Sequence, residues 1–441
     1  MSEWDPLLYA GAAILLWWLG LYFLDKRKIL EKHNLSLAGP ILMWKTQKGR
    51  DLIDRISRPK RFWRFFGDLS IVLVGLTMVG TTALLVWEAT LVQSAAVRAN
   101  PPSPNLLLGL PGINPLIPVG YGIFGLAVAI VLHEFSHGIL SRVAGIKVRS
   151  LGGVFVIVPI GAFVEPDVDE LRALPRRERA RLYAVGPATN IVIALIFAFI
   201  FSAVMMSAVT PIHDGVGIVG FAGTYSPAKA AGLQEYQIIT SVNDMQVHTY
   251  AEFQAAMALV RPNQTINVTT YDSAGDHNFQ LTTVPDPQDP NRPLLGIYGL
   301  DVSTDYYHPL TNPDRFGGVP YAILSYISLP FQGRAPIQDP AIRFYQINGP
   351  WSAIPAPLFW LLANTFYWLF WLNVMIGATN ALPAVPLDGG YIFKDGLESL
   401  VTRVKRGIKS EARDRIVKQV TYLSALFILA LILWQMIGPR I

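Results

Sequence analysis

Six long apolar segments constrain the fold of this chain more than any other feature of its sequence. They cover residues 7–24, 69–92, 117–140, 183–208, 420–438 and part of 353–376. Each is close to the ~20 apolar residues that an α-helix needs to cross the hydrocarbon core of a bilayer. Only 15% of the 441 residues are charged, against roughly 25% in soluble proteins. These features predict a polytopic α-helical membrane protein with about six transmembrane helices.

The charges between the apolar segments predict the orientation of the chain in the cell membrane. Segment 25–64 carries twelve Lys and Arg against four acids, whereas segment 209–310 carries three basic residues and ten acids. Because basic loops are retained in the cytoplasm, six spans would place both termini and segment 209–310 outside it. The net charge of +5 comes from basic residues that cluster beside apolar segments. It therefore indicates contact with the lipid bilayer and no nucleic-acid partner.

Three segments differ in pattern from the spans. Segment 209–310 contains short alternating runs such as QIITSVND and TINVTTYD, which predict a mostly-β soluble module. Segment 152–164 is too short to span and combines β-branched residues with Gly and Pro, which predicts a β-hairpin at the membrane. Such a hairpin must lie against protein or line a cavity, because an open strand edge is not tolerated in lipid. Residues 311–352 are rich in Pro, Gly and aromatic residues and are expected to form an interfacial linker.

Ionisable residues interrupt the third apolar segment, in the stretch VLHEFSHGIL (131–140). His133 and His137 are four residues apart and share one face of a helix. That spacing allows both imidazoles to bind one zinc ion, while Glu134 can act on a water molecule. The alternative is that the histidines hydrogen-bond to other helices, but it leaves a costly carboxylate in lipid without a role. The chain has no cysteine, so any metal must be held by His and carboxylates.

A third metal ligand is expected, because catalytic zinc sites use three protein ligands and one open position. In NALPAVPLDGG (380–390), Asp388 is the single acid. Pro383 and Pro386 are expected to end the helix there. Gly389–Gly390 are expected to let the backbone turn so that the carboxylate points inward. An ordinary turn at the membrane edge would explain the prolines and glycines but not the aspartate.

These motifs together resemble the site-2 protease family of intramembrane zinc metalloproteases. HEFSH lies in a span, Asn-x-x-Pro is followed by Leu-Asp-Gly, and GPATN (186–190) resembles a third signature of that family. The resemblance implies that His133, His137 and Asp388 bind Zn²⁺. It also implies that Glu134 is the general base that activates water.

The resemblance extends to residues beside the catalytic motifs. It implies that Asn380 binds the substrate backbone or the developing oxyanion, although an Asn that simply ends a helix is an equally good interpretation. Asn190 is interpreted as structural. GAF (161–163) resembles a Gly-x-aromatic loop of family members, so an extended substrate is expected to add as a strand at the hairpin edge. Plain structural packing is the alternative for this hairpin.

Segment 209–310 resembles a PDZ domain of the bacterial protease type. SPAKAAGLQEYQIITSVNDMQV (226–247) has the order of a small helix, Ala-Gly-Leu and a strand that ends in Asn. Glu235–Tyr236 replace the usual Gly-Asp, so the start of that strand differs. By analogy the peptide groove would lie near Val216–Val219, with an unknown ligand. The simpler role is that this extracytoplasmic domain shields the active site by its bulk.

The predicted organisation has six parts. They are the N-terminal helices and basic loop (1–116), the first part of the catalytic membrane core (117–208), the PDZ-like domain (209–310), the interfacial linker (311–352), the second part of the core (353–392) and a basic segment with the last span (393–441). The expected function is zinc-dependent hydrolysis of peptide bonds within transmembrane segments, as in regulated intramembrane proteolysis. The resemblance to the site-2 protease family implies that the substrates are single-span proteins already shortened by another protease.

Two other functions fit parts of the sequence. A non-catalytic membrane scaffold would present the PDZ-like domain, but it would have no need to keep all of His133, Glu134, His137 and Asp388. A divalent-metal transporter would use the same residues as a transit site, but the spans carry few further polar residues that could line a path. Both alternatives are weaker than the protease.

Overall fold

The computed structural model describes residues 5–441 except 108, 110, 157, 224 and 406, and leaves out the side chains of residues 5–10, 96, 107 and 158–160. The helices are α1 (Asp5–Lys26), α2 (Ile29–Lys32), α3 (Arg50–Ile56), α4 (Lys60–Leu91), α5 (Ala95–Ala99), α6 (Val119–Ala144), α7 (Val168–Ala173), α8 (Arg176–Phe199), α9 (Pro227–Ala230), α10 (Tyr250–Ala258), α11 (Val319–Ile327), α12 (Ala356–Ala381), α13 (Asp388–Val404) and α14 (Ser410–Ile437). The strands are β1 (Leu35–Ala38), β2 (Ile41–Thr46), β3 (Val148–Val156), β4 (Val158–Pro166), β5 (Val209–Pro211), β6 (Val216–Phe221), β7 (Ile238–Val242), β8 (Met245–Gln246), β9 (Thr265–Asp272), β10 (Gly275–Thr282), β11 (Val284–Pro285), β12 (Pro293–Leu294), β13 (Ile297–Asp301) and β14 (Tyr345–Ile347). The chain forms two compact units, residues up to 196 with 368–441, and residues 197–367.

Among the described residues, five helices are long and apolar enough to cross a membrane. They are α4, α6, α8 with its continuation to Ala208, α12, and α14 with its continuation to Arg440. These helices correspond to five of the six predicted spans, with small differences at their ends, which makes the chain a multi-pass membrane protein. The sixth predicted span, 7–24, lies on the 22-residue helix α1. The side chains that begin this helix lie outside the described ones, and the count of six stays a prediction.

Helix α4 begins nearer to the N-terminus than the sequence analysis expected. Residues 60–64, which belong to the predicted basic loop 25–64, lie in the first turns of the same continuous helix. Pro59 directly precedes it, and Pro is tolerated at a helix start because the first N–H groups have no partner within the helix. No Pro interrupts the sequence between Lys60 and Leu91. The prediction of a loop was therefore wrong for residues 60–64.

An antiparallel four-stranded sheet of order β1-β2-β3-β4 accompanies the helices of the first unit. Strands β3 and β4 contain the segment 152–164 that was predicted as a hairpin, with Leu151 opposite Val164. Strands β1 and β2 lie in segment 25–64, where the sequence analysis expected only a loop, and β2 pairs with β3. Gly39 has φ 61° between β1 and β2, a backbone conformation that Gly adopts readily at a turn. Strand β4 is the terminal strand on the other side of the sheet.

Ion pairs fix the start of helix α8 against two other helices of the first unit. Arg177 and Arg181 each make two hydrogen bonds to the Asp68 carboxylate on α4. Arg179 likewise binds both oxygens of Asp395 on α13, at 3.0 and 3.1 Å. Bidentate Arg–carboxylate pairs fix geometry as well as adding energy. These contacts hold α8 between the two helices, and α8 carries the GPATN motif.

The second unit contains a six-stranded sheet of order β10-β9-β7-β6-β13, with β8 paired to β7. Val216 and Gly217 of β6 pair with β7 on one side and with β13 on the other. This part of the predicted peptide groove near Val216–Val219 is therefore occupied by the protein's own strands. A cleft of about 430 Å³ lies instead between α10 and β13, lined in part by Tyr250, Phe253 and Ile297.

The predicted linker 311–352 contains helix α11 and packs within the second unit. The Tyr326 ring centroid lies 6.3 Å from that of Phe201 and 5.8 Å from that of Tyr367. The Tyr367 hydroxyl donates to the Tyr326 carbonyl at 3.0 Å. Buried Asn364 of α12 accepts from the Ile337 N–H and donates to its carbonyl. The segment is therefore attached to residues of helices that are long enough to cross a membrane.

Candidate metal centre

Helix α6 carries the HExxH motif near its C-terminal end. It runs from Val119 to Ala144 and ends at Gly145, which has φ 89°, so this glycine allows the left-handed turn that terminates many helices. The helical spacing places His133 and His137 on one face, with ring centroids 4.9 Å apart. His133 is only 5% exposed. The two imidazoles therefore form one half of a buried site.

Asp388 is the first residue of helix α13 and completes the site. Its Oδ2 atom lies 3.1 Å from the Nε2 atom of His133 and 3.3 Å from the Nε2 atom of His137. The ligand atoms of the three side chains all lie within 4.8 Å of one another, in the single such group found among the described residues. Residues separated by 255 positions in the sequence thus meet at one point.

Gly389 and Gly390 serve this arrangement through close packing. A Cβ atom on Gly389 would lie 2.6 Å from the Leu382 carbonyl oxygen, and closer still to that of Ala381. A Cβ atom on Gly390 would lie 2.5 Å from the Ala384 carbonyl carbon. Neither glycine has a positive φ, and both lie in helix α13. The prediction that these glycines provide conformational freedom in a turn was therefore wrong. They are needed because they have no Cβ atom, which lets α13 begin directly against the preceding segment.

The hydrogen bond at the Nδ1 atom of His137 fixes the tautomer of its imidazole ring. Its Nδ1 atom lies 2.7 Å from the Leu182 carbonyl oxygen, which can only accept. The Nδ1–H group therefore donates to Leu182, and in the neutral imidazole the Nε2 lone pair points at Asp388. The Nε2 lone pair of the neutral ring and the Asp388 Oδ2 atom are then two hydrogen-bond acceptors, 3.3 Å apart, with no hydrogen atom between them. Such a pair of acceptors requires a cation, either a proton or a metal ion.

The donor set and its spacing fit zinc. Zinc sites hold His nitrogens and carboxylate oxygens at roughly 2.0–2.2 Å in tetrahedral geometry, so two ligands on one ion are about 3.3–3.5 Å apart. The two Nε2–Oδ2 distances of 3.1 and 3.3 Å are close to this value. Two imidazoles and one carboxylate also leave one of four positions open, as in catalytic zinc sites. The residues present therefore fit the metal.

Gly186 on helix α8 provides the room for the two imidazoles. A Cβ atom at this position would lie 2.6 Å from the Nε2 atom of His133 and still closer to that of His137. Carbon–nitrogen contacts this short do not occur between unbonded atoms. The glycine of the GPATN motif is thus required for α8 to pack directly against the metal-binding nitrogens.

Glu134 lies beside the three ligands and contacts the sheet. It is half-buried, and its Oε2 atom accepts from the Val164 N–H of the terminal strand β4 at 3.2 Å. The carboxylate is therefore next to both the metal centre and a strand edge. Its role as general base stays a prediction.

Asn380 does not contact the three predicted ligands in the described hydrogen bonds. Its Nδ2 atom donates to the Ile376 carbonyl of its own helix at 3.2 Å. The side chain is half-buried near the end of α12, eight residues before Asp388, where α13 begins. Its role in binding substrate stays a prediction, and the helix-ending interpretation agrees with the bond observed.

Sequence reasoning missed one side chain of this site. Asn190 was interpreted as structural, but its Oδ1 atom lies 2.7 Å from the Nδ1 atom of His133. The available signal was the spacing within GPATN, because Gly186 and Asn190 are four residues apart and share a helix face. Nothing in the sequence alone shows that this face meets α6.

Comparisons with known proteins identify the family of this chain. The family model of peptidase family M50 matches residues 121–428, more than two thirds of the chain. An uncharacterized protein of Methanocaldococcus jannaschii is 24% identical over 399 residues, which cover 89% of this chain and 86% of that protein. A protein of Clostridium acetobutylicum named "Putative zinc metalloprotease" is 24% identical over 59% of this chain and 76% of its own length. A protein of Rhizobium meliloti with the same name is 23% identical over 63% and 86%. The chain therefore belongs to peptidase family M50, the site-2 protease family, and is a zinc-dependent metalloendopeptidase of the membrane.

Proposed function

We propose that this protein hydrolyses peptide bonds within transmembrane segments of other proteins. The observation that carries the proposal is the position of the metal centre. His133, Glu134 and His137 lie on α6, a helix long and apolar enough to cross a membrane, and the side chain of His133 is buried in the protein. A peptidase centre on such a helix would act on peptide bonds that lie within the membrane.

The chemistry of the reaction divides between the metal and Glu134. His133, His137 and Asp388 would hold the zinc ion, which when bound would supply Lewis acidity to a peptide carbonyl and a water molecule. Glu134 accepts the proton from the attacking water and later delivers it to the nitrogen of the leaving amine. Water adds to the carbonyl carbon, the C–N bond breaks, and the products are a carboxylate and an amine. Asn380 is proposed to bind the substrate backbone near this point.

The substrate must present an extended backbone to this centre. A helical segment keeps its carbonyl oxygens in backbone hydrogen bonds, so it must unwind before water can attack. Strand β4 ends its sheet beside Glu134, and extended peptides bind to sheet edges through backbone hydrogen bonds. We therefore place the unwound substrate along β4, where the Val164 N–H is available to a substrate carbonyl once Glu134 releases it.

The proposed orientation rests on the charge pattern, and the proposed substrate class rests on membership of the site-2 protease family. Six spans with basic connections in the cytoplasm would place both termini and the β-rich module of residues 209–310 outside. The site would then face the cytoplasmic half of the membrane and cut single-span proteins that another protease has already shortened. The module would act as a PDZ-like domain that excludes intact substrates by bulk, since exclusion requires no specific ligand.

The proposal is tested by cleavage of a single-span model substrate with the purified full-length protein in detergent. Wild-type protein loaded with zinc is expected to cut the substrate, with mass spectrometry placing the cut inside the apolar segment. Glu134→Gln is expected to abolish cleavage while one zinc ion per chain stays bound. Glu411→Gln, which changes an exposed glutamate in the first turn of α14, serves as the matched control with full activity. Equal cleavage by wild type and Glu134→Gln, or cuts confined to the flanks of the apolar segment, would contradict the proposal.

A further inference from the structure

Two buried asparagines connect the metal centre to the helices around it. Asn190 of α8 and Asn373 of α12 are both 0% exposed. The Asn190 Oδ1 atom lies 2.7 Å from the Nδ1 atom of His133. The Asn190 Nδ2 atom lies 3.1 Å from the Ala129 carbonyl oxygen and 3.0 Å from the Asn373 Oδ1 atom. The Asn373 Nδ2 atom in turn lies 2.7 Å from the Leu369 carbonyl oxygen.

Backbone carbonyls at two points fix the orientation of both amides. A carbonyl oxygen can only accept, so the Asn373 group that faces Leu369 must be the NH₂, and its oxygen must face Asn190. The Asn190 group that faces both Ala129 and the Asn373 oxygen must likewise be the NH₂. A flip of either amide would place two oxygens against each other in a buried environment, which is costly. The Asn190 oxygen is therefore left to face His133.

The consequence for His133 is a fixed tautomer. With the Asn190 oxygen as acceptor, the His133 Nδ1 atom must carry the proton, so in the neutral ring the Nε2 lone pair is directed at the metal position beside Asp388. Hydrogen bonds to the second ring nitrogen of a metal-binding His also hold the ring plane in place. We propose that Asn190 is a positioning residue of the metal centre, and that Asn373 holds the Asn190 amide in the productive orientation.

Helix α8 serves both histidines through three residues on one face. The Leu182 carbonyl accepts from the Nδ1–H group of His137, Gly186 leaves the space for both Nε2 atoms, and Asn190 accepts from the Nδ1–H group of His133. Successive members are four residues apart, so they lie along one line of the helix. The two histidines differ in one respect. A backbone carbonyl orients His137, whereas a side chain that mutation can remove orients His133.

The test measures zinc affinity of the full-length protein in detergent by competition with a chelator. Asn190→Leu keeps the side-chain volume but removes the acceptor, and it is expected to weaken zinc binding about 10- to 100-fold. Asn190→Asp keeps an oxygen opposite the Nδ1–H group and is expected to bind zinc more tightly than Asn190→Leu. Asn373→Leu is expected to weaken binding less than Asn190→Leu, because Asn190 retains its bond to Ala129.

The matched control is Asn364→Leu on the same helix as Asn373. Asn364 is also buried and also has both of its amide groups bonded, but its partner is Ile337 in the second unit. This change is expected to lower the unfolding temperature while the zinc affinity stays at the wild-type value. The control thereby distinguishes the effect of losing any buried amide from the effect of losing the hydrogen bond to His133.

A spectroscopic measurement reports the tautomer directly. The chain has seven histidines, and ¹⁵N-histidine labelling of the zinc-loaded protein is expected to show a protonated Nδ1 in both His133 and His137. In Asn190→Leu the His133 signals are expected to broaden or shift, while those of His137 stay unchanged because Leu182 still accepts its proton. Wild-type zinc affinity in Asn190→Leu, or Asn190→Asp that binds no better than Asn190→Leu, would overturn the proposal.

The inference rests on zinc binding by His133, which belongs to the proposed function, but the two fail differently. A wild-type protein that binds no zinc would contradict the proposed function. A wild-type protein that binds zinc and cuts substrate, with Asn190→Leu of equal affinity, would contradict the positioning role alone.

Discussion

Gly186→Ala adds a single methyl group at the point where helix α8 meets the metal centre. The new Cβ atom would lie 2.6 Å from the Nε2 atom of His133, 2.7 Å from its Cε1 atom, and closer still to the Nε2 atom of His137. Unbonded carbon atoms reach their optimum near 3.5–4.0 Å, so the imidazoles or the helix must move by about 1 Å. Metal–ligand distances vary by only about 0.2 Å in a formed site. The substitution is therefore incompatible with the arrangement of both histidines.

The expected magnitude follows from this displacement. Loss of an outer hydrogen bond to a ligand costs about 10- to 100-fold in metal affinity, and here both ligating nitrogens are displaced. We expect zinc affinity to fall at least about 100-fold, which corresponds to about 2.8 kcal/mol. Helix propensity acts in the opposite direction, since Ala is favoured over Gly by up to about 1 kcal/mol in a helix. Overpacking against the imidazoles costs about 1–3 kcal/mol with or without metal, so the two terms partly cancel. The metal-free protein is therefore expected to keep its unfolding temperature within a few degrees of wild type.

The assay is a zinc titration of the full-length protein in detergent against a chromogenic chelator. Gly120→Ala is the matched control, because this glycine also lies in a membrane-length helix, α6, and a Cβ atom there meets nothing within 4 Å. It is expected to bind zinc like wild type. Zinc affinity in Gly186→Ala within about threefold of wild type, less than 0.7 kcal/mol, would refute the steric argument.

Three further changes have defined outcomes. Val164→Pro removes the N–H that donates to Glu134 and is expected to lower the rate of substrate cleavage at unchanged zinc affinity, with Val164→Ala as the control in the same assay. Asp388→Ala removes the carboxylate from the ligand set, so elemental analysis is expected to find less than one zinc per chain after dialysis. Bonds from Gln237, the Ala274 N–H and His277 lower the pKa of Asp272 to about 2. The ionised carboxylate therefore stabilises the module fully above pH ~4 and less as the pH falls towards its pKa. Calorimetry is expected to show that Asp272→Asn lowers the unfolding temperature by much less at pH 2 than at pH 7.

The parts of this structure that depend on local sequence were predictable. Apolar length identifies a membrane helix wherever it occurs, and the i, i+4 spacing of His133 and His137 places them on one face whatever surrounds the helix. Asp388 could be found by elimination, because a third ligand was required and the apolar C-terminal region offers few acids. These inferences needed no knowledge of how the helices pack.

The parts that depend on packing were not predictable. Strands β1 and β2 are only four and six residues long, and they lie in a segment whose basic charge dominates its pattern. The contacts of Gly186 and Asn190 exist only because α8 lies directly against α6. A sequence records both residues but not the neighbour that gives them their roles. The same holds for Gly389 and Gly390. They are required because a Cβ atom at either position would clash with carbonyl groups of the preceding segment.

The pairing of β2 with β3 means that the working unit is larger than the region of family similarity. The family match begins at residue 121, yet residues 41–46 supply the strand that pairs with residues 151–155. A chain shortened to the matched region would leave the backbone N–H and C=O groups of β3 unpaired, and an unpaired strand edge promotes association between molecules. The hairpin of β1 and β2 thus covers the edge of β3. A peptide segment can then add to the sheet at β4, beside Glu134, but not at β3. Any minimal active fragment has to include it.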